Sequence, residues 1–334
     1  MAAITTIPAP IELPVVKKGK HWYARAGERE LRLSNLDKVY WPEEGYTKGD
    51  LLTYYYNVSP VMLPHLVDRP LTLKRMPDGL AGGFFYEKNA PSHTPAWMPR
   101  LEIQAEGKKI TYLTVRDVTH MLYVANLGCI EFHPLHARGL DQEHPTYAFF
   151  DLDPFEPAGF DEVVHVARLI GVALDRLGLP GYPKTSGATG IQIMVPLEPG
   201  HTYAHARAFV GGVAQLVHAA DPDTVTLEWE VAKRAGKVFI DVNMNREGAN
   251  IAAAYSVRPE PCATVSAPVA WEELDEVRPQ DFTMATMHAR IAAVGDLFAP
   301  VAEGPGCSLA GALDALGVSA SRSGRSGGSG SRNR

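Results

Sequence analysis

The order of apolar patterns between residues 147 and 241 constrains the fold more than any other feature of the sequence. The segment predicts a strand ("YAFFD"), a helix ("FDEVVHVARLIGVALDRLGL"), two strands ("YPKTS" and "GIQIMVPL"), a second helix that opens at Thr202, and a last strand ("GKVFIDV"). This order is typical of the split βαβ unit of ferredoxin-like and RRM-like sheets. We therefore predict an α+β fold built on a βαββαβ sheet.

Both predicted helices carry an apolar stripe at helical spacing. Asp161 is placed to cap the first helix, and Gly178 with Pro180 should end it. The stripe of the first helix consists of Val163, Ala167, Ile170, Leu174 and Leu177, and that of the second of Phe209, Val213, Leu216 and Val217.

Residues 21–145 are less regular and predict an α/β accessory lobe packed against the sheet. We expect one helix at "KGDLLTYYYNVSPVMLPHL", broken near Pro60, and another at "RDVTHMLYVANLG", capped by Asp117. Strands are expected in "RPLTLKRMPDG" and "GGFFYEKNAP". The predicted organisation is an N-terminal extension (1–20), the lobe (21–145), a catalytic core with C-terminal elements (146–300) and a disordered Gly/Ser/Arg tail (318–334).

Composition narrows the class of protein. A hydrophobic content of 46% supports a real core, and a formal net charge of −6 excludes a globally basic nucleic-acid coat. The three cysteines form no CxxC pair, which argues against a disulfide framework or a structural zinc site. A basic leader and a long apolar run are both missing, so we expect a cytoplasmic, nucleoid-associated protein and no membrane partner.

Two carboxylates, Asp151 and Asp153, follow the apolar strand in "YAFFDLDP" and should point to the same face. Asp241 ends the last strand. We expect the first and last strands to flank the third, so that the three carboxylates converge and bind one or two Mg²⁺ or Mn²⁺ ions. From spacing alone, the alternative is a pair of solvated aspartates at a strand end.

The loop "KTSGATG" lies between two predicted strands. Its small residues would allow backbone N–H groups and hydroxyls to cradle phosphates, although a plain hairpin turn is the commoner explanation. Near Asp241, the cations Lys233, Arg234, Lys237 and Arg258 would suit a triphosphate, or they are ordinary surface charge.

Basic and aromatic residues alternate in the first lobe. Phosphates on the cations and bases on the rings would bind a nucleic-acid strand, whereas buried rings and solvated lysines are the alternative. The cations are Lys38, Lys48, Lys74, Arg75 and Lys88, and the rings are Tyr40, Trp41, Phe84, Phe85 and Tyr86.

Taken together, these segments resemble the polymerase domain of bacterial ligase D, in the archaeo-eukaryotic primase (Prim-Pol) superfamily. The segments that carry the resemblance are "LSNLDKVYWPEEGYTKGDLLTYY", "RPLTLKRMPDG", "FFYEKNAP", "FFDLDP", "KTSGATG", "RAGKVFID" and "AYSVRP". No ligase "KxDG" motif is present, so a stand-alone member similar to the actinobacterial Prim-PolC proteins is expected.

The resemblance implies roles for individual residues. Asp151, Asp153 and Asp241 match catalytic metal ligands, and His133 matches a histidine near the sugar of the incoming nucleotide. Nucleotide-binding positions implied by the resemblance and the loop are Ser186, Gly187, Thr189, Gln192, Arg234, Lys237 and Arg258. Lys38 and Lys48 match lysines that hold the 5′-phosphate of a gap, and Phe85 and Tyr86 match a template-stacking pair, with Lys74, Arg75 and Lys88 as further DNA contacts.

Three positions depart from the family pattern. Thr189 and Gln192 replace a lysine and a histidine of "SGxKGxH", and Met244 replaces a common glutamine. The first two changes should weaken the grip on the triphosphate.

The implied function is gap filling in DNA repair by a DNA-directed nucleotidyltransferase, through end joining or excision repair. It would use Mg²⁺ or Mn²⁺, gapped or primer-template DNA with a 5′-phosphate, and NTPs or dNTPs, favour ribonucleotides, and work with a separate DNA ligase. A DNA-end-binding scaffold that recruits a ligase and a DxD glycosyltransferase remain alternatives.

Overall fold

The computed structural model describes residues 7–26, 29–105 and 107–319. The strands of the first lobe are β1 (Val15–Lys18), β2 (His21–Ala26), β3 (Arg29–Leu33), β4 (Val39–Trp41), β5 (Tyr46–Thr47), β6 (Leu71–Arg75), β7 (Phe85–Glu87), β8 (Arg100–Ala105), β9 (Lys108–Leu113) and β10 (Cys129–Pro134). Its helices are α1 (Lys48–Leu66) and α2 (Val118–Asn126).

The second half of the chain contains the central sheet and the remaining helices. Its strands are β11 (Tyr147–Pro154), β12 (Tyr182–Thr185), β13 (Ile191–Pro196), β14 (Val225–Thr226) and β15 (Val238–Ile240). Its helices are α3 (Phe160–Leu177), α4 (Tyr203–Ala220), α5 (Met287–Val294), α6 (Ala299–Glu303) and α7 (Ala310–Leu316).

The central sheet has the strand order β12-β13-β11-β15-β14. β11 pairs antiparallel with β13 on one side and with β15 on the other. The expectation that the first and last strands flank the third was therefore wrong, because the first strand, β11, is central and the last, β15, pairs directly with it. The short β14, which the sequence pattern did not indicate, adds a parallel edge to β15.

One face of the central sheet packs on helices, and the other carries the aspartates. Phe150 and Leu152 are fully buried, and the ring of Phe150 lies 5.9 Å from that of Phe209 on α4. Because side chains alternate along a strand, Asp151 and Asp153 point away from α3 and α4.

Two details of the predicted helices were wrong. Helix α3 is capped at Gly159, whose N–H donates to the Glu162 carboxylate at 2.7 Å, whereas Asp161 lies in the first turn and pairs with Arg278. On α4, Thr202 is the cap as predicted, but Leu216 is 54% exposed and not part of the buried stripe.

The first lobe contains a five-stranded sheet in which β6 pairs with β7, β9 and β10. The predicted break near Pro60 was wrong, since α1 runs from Lys48 to Leu66. Proline at position 60 leaves the Tyr56 carbonyl without its helical donor, and the Ser59 hydroxyl donates to that oxygen at 2.8 Å instead. Asp117 caps α2 through the His120 N–H, as predicted.

Domain limits are less sharp than the sequence suggested. β1 pairs with β2 across residue 20, so a boundary there would divide a three-stranded sheet, and α7, beyond residue 300, packs against α4. Of the predicted disordered tail (318–334), residues 320–334 lie outside the described residues, whereas the Val318 N–H donates to the Leu313 carbonyl at 3.1 Å. Within the described ranges, no helix combines the length and the apolarity needed to cross a bilayer.

Candidate active site

Three aspartates meet where β11 and β15 run side by side. Leu152 is paired with Ile240, and one residue further on the Asp241 N–H donates to the Asp151 carbonyl at 3.0 Å. Asp153 lies on the same face of β11 as Asp151. The Asp241 carboxylate accepts from the Asn243 N–H at 2.9 Å, which holds it at the start of a 3₁₀ turn.

The environment of these carboxylates disfavours their charge. Burial, followed by the nearby charge of Asp153, raises the pKa of Asp151 to about 7, and burial with the charge of Asp241 raises the pKa of Asp153. Burial also raises the pKa of Asp241. None of the three forms an ion pair with a described residue. The cluster is therefore a concentration of acidic side chains without a direct cationic partner among the described residues.

A polar row crosses the sheet from this cluster. In the register, Lys184 on β12 lies opposite Gln192 on β13, and Gln192 lies opposite Asp151 on β11. The Gln192 amide nitrogen donates to the Asp151 carboxylate at 2.9 Å, and the Lys184 ammonium donates to the Gln192 amide oxygen. Lys184 is fully buried, and burial, with the charge of Arg258, lowers its pKa to about 7.

The loop 186–190 closes the hairpin between β12 and β13. The Ser186 hydroxyl accepts from the N–H groups of Ala188 and Gly190 at 3.1 and 3.0 Å, so it shapes the loop from inside. A side chain at Gly190 would lie 2.2 Å from the Leu152 carbonyl oxygen, and Gly187 has a φ of +76° beside Arg258. Thr189, at the tip, is exposed.

Glu131, a residue the sequence analysis missed, joins the first lobe to this loop. Its buried carboxylate accepts from Arg258 at 2.9 Å, His133 at 2.6 Å and Lys74 at 3.2 Å. Burial alone would raise its pKa, but the His133 hydrogen bond and the charge of Arg258 lower it to about 2. Arg258 also donates to the Ser186 carbonyl, so three predicted nucleotide-binding residues share one network.

Of the three remaining predicted cations, Lys233 pairs with Glu228 and Glu230 at exposed positions, and the other two differ in what they contact. The Arg234 guanidinium lies 3.5 Å from the centre of the Phe239 ring and donates to the Trp229 carbonyl at 2.6 Å. Its charge acts against burial, which raises the pKa of Asp153 and Asp241. The Lys237 ammonium instead donates to the Pro222 carbonyl at 2.6 Å.

A cavity of about 400 Å³ in the first lobe contains Lys48. The Lys48 ammonium donates to the Asn126 carbonyl at 2.6 Å and to the Ser34 hydroxyl at 3.1 Å. Burial, with the charges of Lys38 and Arg75, lowers its pKa to about 8. Arg32, Arg75 and His93 also line the cavity, whereas Lys38 pairs with Asp78.

The predicted stacking pair is on the surface. Phe85 and Tyr86 are 45% and 54% exposed, and the Arg75 guanidinium lies 5.1 Å from the centre of the Phe85 ring. The alternative that the rings are core holds for Tyr40 and Trp41, which are fully buried, but not for this pair. Lys88 is exposed and lines a separate cavity of about 290 Å³ with Arg246.

The fold and the site define the class of this protein. It is a mixed α+β protein whose central sheet presents three half-buried carboxylates beside a glycine-containing hairpin. The family model described as "LigD, primase-polymerase domain" matches residues 47–298. The chain therefore belongs to the LigD primase-polymerase family.

Relatives and a solved structure agree with this assignment. The multifunctional non-homologous end joining protein LigD of Mycolicibacterium smegmatis is 33% identical over 84% of this chain and 37% of its own length. The bifunctional non-homologous end joining protein LigD of Bacillus subtilis is 31% identical over 78% of this chain and 42% of its own length. The chain thus spans about two fifths of these relatives. The polymerase domain of Mycobacterium tuberculosis ligase D, solved in complex with DNA, is 33% identical with a TM-score of 0.78, covering 82% of this chain and 99% of that one.

Proposed function

We propose that this chain is a DNA-directed nucleotidyltransferase that fills short gaps in DNA repair, in end joining or excision repair, with a separate DNA ligase sealing the product. The observation that carries the proposal is the convergence of Asp151, Asp153 and Asp241 on one face of adjacent strands, in a chain of the LigD primase-polymerase family. The strand order, with the first strand between the third and the last, supports an RRM-like catalytic sheet.

The carboxylate cluster fits divalent cations of the Mg²⁺ or Mn²⁺ type. No group of three or more His, Cys, Asp or Glu side chains in the described ranges is already arranged as a metal site. Mg²⁺ is, however, commonly held by one or two carboxylates together with substrate phosphates. A bound cation would favour the ionised carboxylates and so lower the three raised pKa values. When bound, such ions would activate the primer 3′-OH and neutralise the leaving pyrophosphate.

The side chains around the cluster suit the other parts of the substrate. Arg258, held by Glu131 beside the Ser186 loop, would face the triphosphate, and His133 would lie near the sugar of the incoming nucleotide, for which we propose a ribonucleotide preference. The Lys48 cavity, with Lys38 nearby, would take the 5′-phosphate of the gap, and Phe85 with Tyr86 would stack on the template.

The test is nucleotide addition to gapped DNA, with and without a 5′-phosphate, supplied with NTPs or dNTPs and Mg²⁺ or Mn²⁺. We expect metal-dependent addition of one or a few nucleotides, favoured by the 5′-phosphate and by ribonucleotides. DNA binding without addition under any metal would contradict the proposal and favour the scaffold alternative. The glycosyltransferase alternative is not carried forward, because the family model spans the whole acidic segment.

A further inference from the structure

Lys184 and Gln192, which form a polar row that ends at Asp151, are given no role in the function proposed above, on which the following inference rests. All three side chains lie on one face of the central sheet, on the neighbouring strands β12, β13 and β11. We propose that Gln192 and Lys184 are positioning residues, which hold the Asp151 carboxylate in the orientation needed for binding a divalent cation.

The direction of each hydrogen bond in the row follows from the charged forms of its two ends, an ammonium at Lys184 and, in the form that binds a cation, a carboxylate at Asp151. A lysine ammonium can only donate, and an ionised carboxylate can only accept. The Gln192 amide therefore has one arrangement that satisfies both, with its oxygen towards Lys184 and its nitrogen towards Asp151. A side chain with only donors or only acceptors at position 192 could not do this.

Lys184 is itself held firmly. Its ammonium also donates to the Ser266 hydroxyl and, at 3.2 Å, to the Ala252 carbonyl, so its three donors have three acceptors. The side chain is fully buried, which removes the alternative of a solvated lysine. A rigid donor at one end fixes the amide, and the amide fixes one oxygen of Asp151, so that the other oxygen remains available to a cation.

The neutral amide between the two charges also matters. A lysine in direct contact with Asp151 would neutralise the carboxylate and compete with a metal ion, whereas a neutral donor orients it and leaves its charge in place. This arrangement engages both ends of Gln192 inside the protein, which differs from the expectation that it contacts the triphosphate.

The test compares Gln192→Met, Lys184→Met and Gln192→His in the full chain. Mn²⁺ binding is followed by the EPR signal of the free ion, with and without a nucleotide. Nucleotide addition is measured across a Mn²⁺ titration, and melting temperatures monitor folding. Lys20→Met, at an exposed turn, is the matched control.

We expect Gln192→Met and Lys184→Met each to weaken Mn²⁺ binding by about tenfold or more, since partners of metal ligands typically matter by this factor. The nucleotide KM at saturating Mn²⁺ should stay within twofold of wild type. The variant that combines Gln192→Met with Lys184→Met should lose little more Mn²⁺ affinity than either single variant, because both residues act through one chain of hydrogen bonds. Gln192→His should recover most of the binding, since a neutral imidazole has one donor and one acceptor.

Wild-type Mn²⁺ binding in both methionine variants, or a change confined to the nucleotide KM, would overturn the proposal. If Lys184→Met fails to fold, Gln192→Met and Gln192→His still decide it. A wild-type chain that binds Mn²⁺ but adds no nucleotide would refute the proposed function, and the EPR comparison would still test the row. A chain that binds no Mn²⁺ with or without nucleotide refutes the positioning role.

Discussion

The backbone N–H of Asp241 donates to the carbonyl oxygen of Asp151 at 3.0 Å, which joins the two strands that carry the acidic side chains. The bond follows from the pairing of Leu152 with Ile240 one residue earlier. Residues 90 positions apart in the chain are thereby brought to one face of the sheet, and this contact is the basis of the proposed chemistry.

Gly190→Ala tests whether the hairpin loop must lie against β11. The added methyl group would lie 2.2 Å from the Leu152 carbonyl oxygen, a backbone atom that cannot move independently of the aspartates. We expect a loss of about 1–3 kcal/mol in the free energy of unfolding and reduced nucleotide addition. Gly311→Ala on α7, where the methyl group would meet nothing within 4 Å, is the control and should keep its stability. Equal melting temperatures for the two variants would contradict the close contact.

The preference for a 5′-phosphate should depend on pH through Lys48. Its pKa is lowered to about 8 in the free protein by burial and by the charges of Lys38 and Arg75, and a bound phosphate should raise it again. The preference is then complete below pH 8 and falls by up to tenfold per pH unit above it. The preference is the ratio of the affinities for gapped DNA with and without the 5′-phosphate, and it is measured from pH 7 to 9.5.

Lys48→Arg is the matched control, because its guanidinium stays charged across this range. Its preference should not change with pH, and Lys48→Met should show little preference at any pH. A wild-type ratio that stays constant to pH 9.5 would contradict the role of Lys48.

Phe85→Ala combined with Tyr86→Ala should weaken the binding of template-containing DNA without affecting the fold. Both rings are about half exposed, so their removal costs little packing, whereas a stacked base contributes about 1–3 kcal/mol. We expect the Kd for a primer-template to rise roughly tenfold or more, measured by fluorescence anisotropy. Val172→Ala, an equally exposed apolar position on α3, should bind as wild type. Unchanged binding by the double variant would rule out stacking.

Glu131→Gln should destabilise the protein, because Arg258 and Lys74 would lose their buried anionic partner. The pKa of Glu131 is lowered from 4.5 to about 2 in the folded protein. Its ionised form therefore contributes about 3 kcal/mol to the free energy of unfolding above pH 4.5, and this contribution is lost as the pH falls towards 2. Urea denaturation should show a large difference between wild type and variant at pH 7 and a smaller one at pH 3. Glu102→Gln, in an exposed pair with Lys109, is the control and should change stability by less than about 1 kcal/mol. A difference that does not narrow with acid would refute this role.

The sequence predicted the helices and strands around the site well, because their patterns are local. The alternation in "YAFFDLD" placed Asp151 and Asp153 on one face, and the structure agrees. The position of Asp241 beside them depends on strand order, which is a tertiary property, and the expected order was wrong although the expected proximity was right.

Other features depend on packing that no local pattern reveals. In α1, the Ser59 hydroxyl bonds the carbonyl that Pro60 leaves without a donor. The buried Glu131 carboxylate has partners from distant segments, Lys74 and Arg258, as well as the nearby His133. The position of Lys184 could have been predicted from the sequence, because a hairpin with its loop at 186–190 places Lys184 opposite Gln192 on the same face.

The most direct test of the central claim is nucleotide addition by Asp151→Ala on 5′-phosphorylated gapped DNA with Mn²⁺, beside Asp314→Ala, an exposed aspartate on α7. Asp151→Ala should add no detectable nucleotide and still bind the DNA within about twofold of wild type, whereas Asp314→Ala should be fully active. Addition by Asp151→Ala at the wild-type rate would contradict the account.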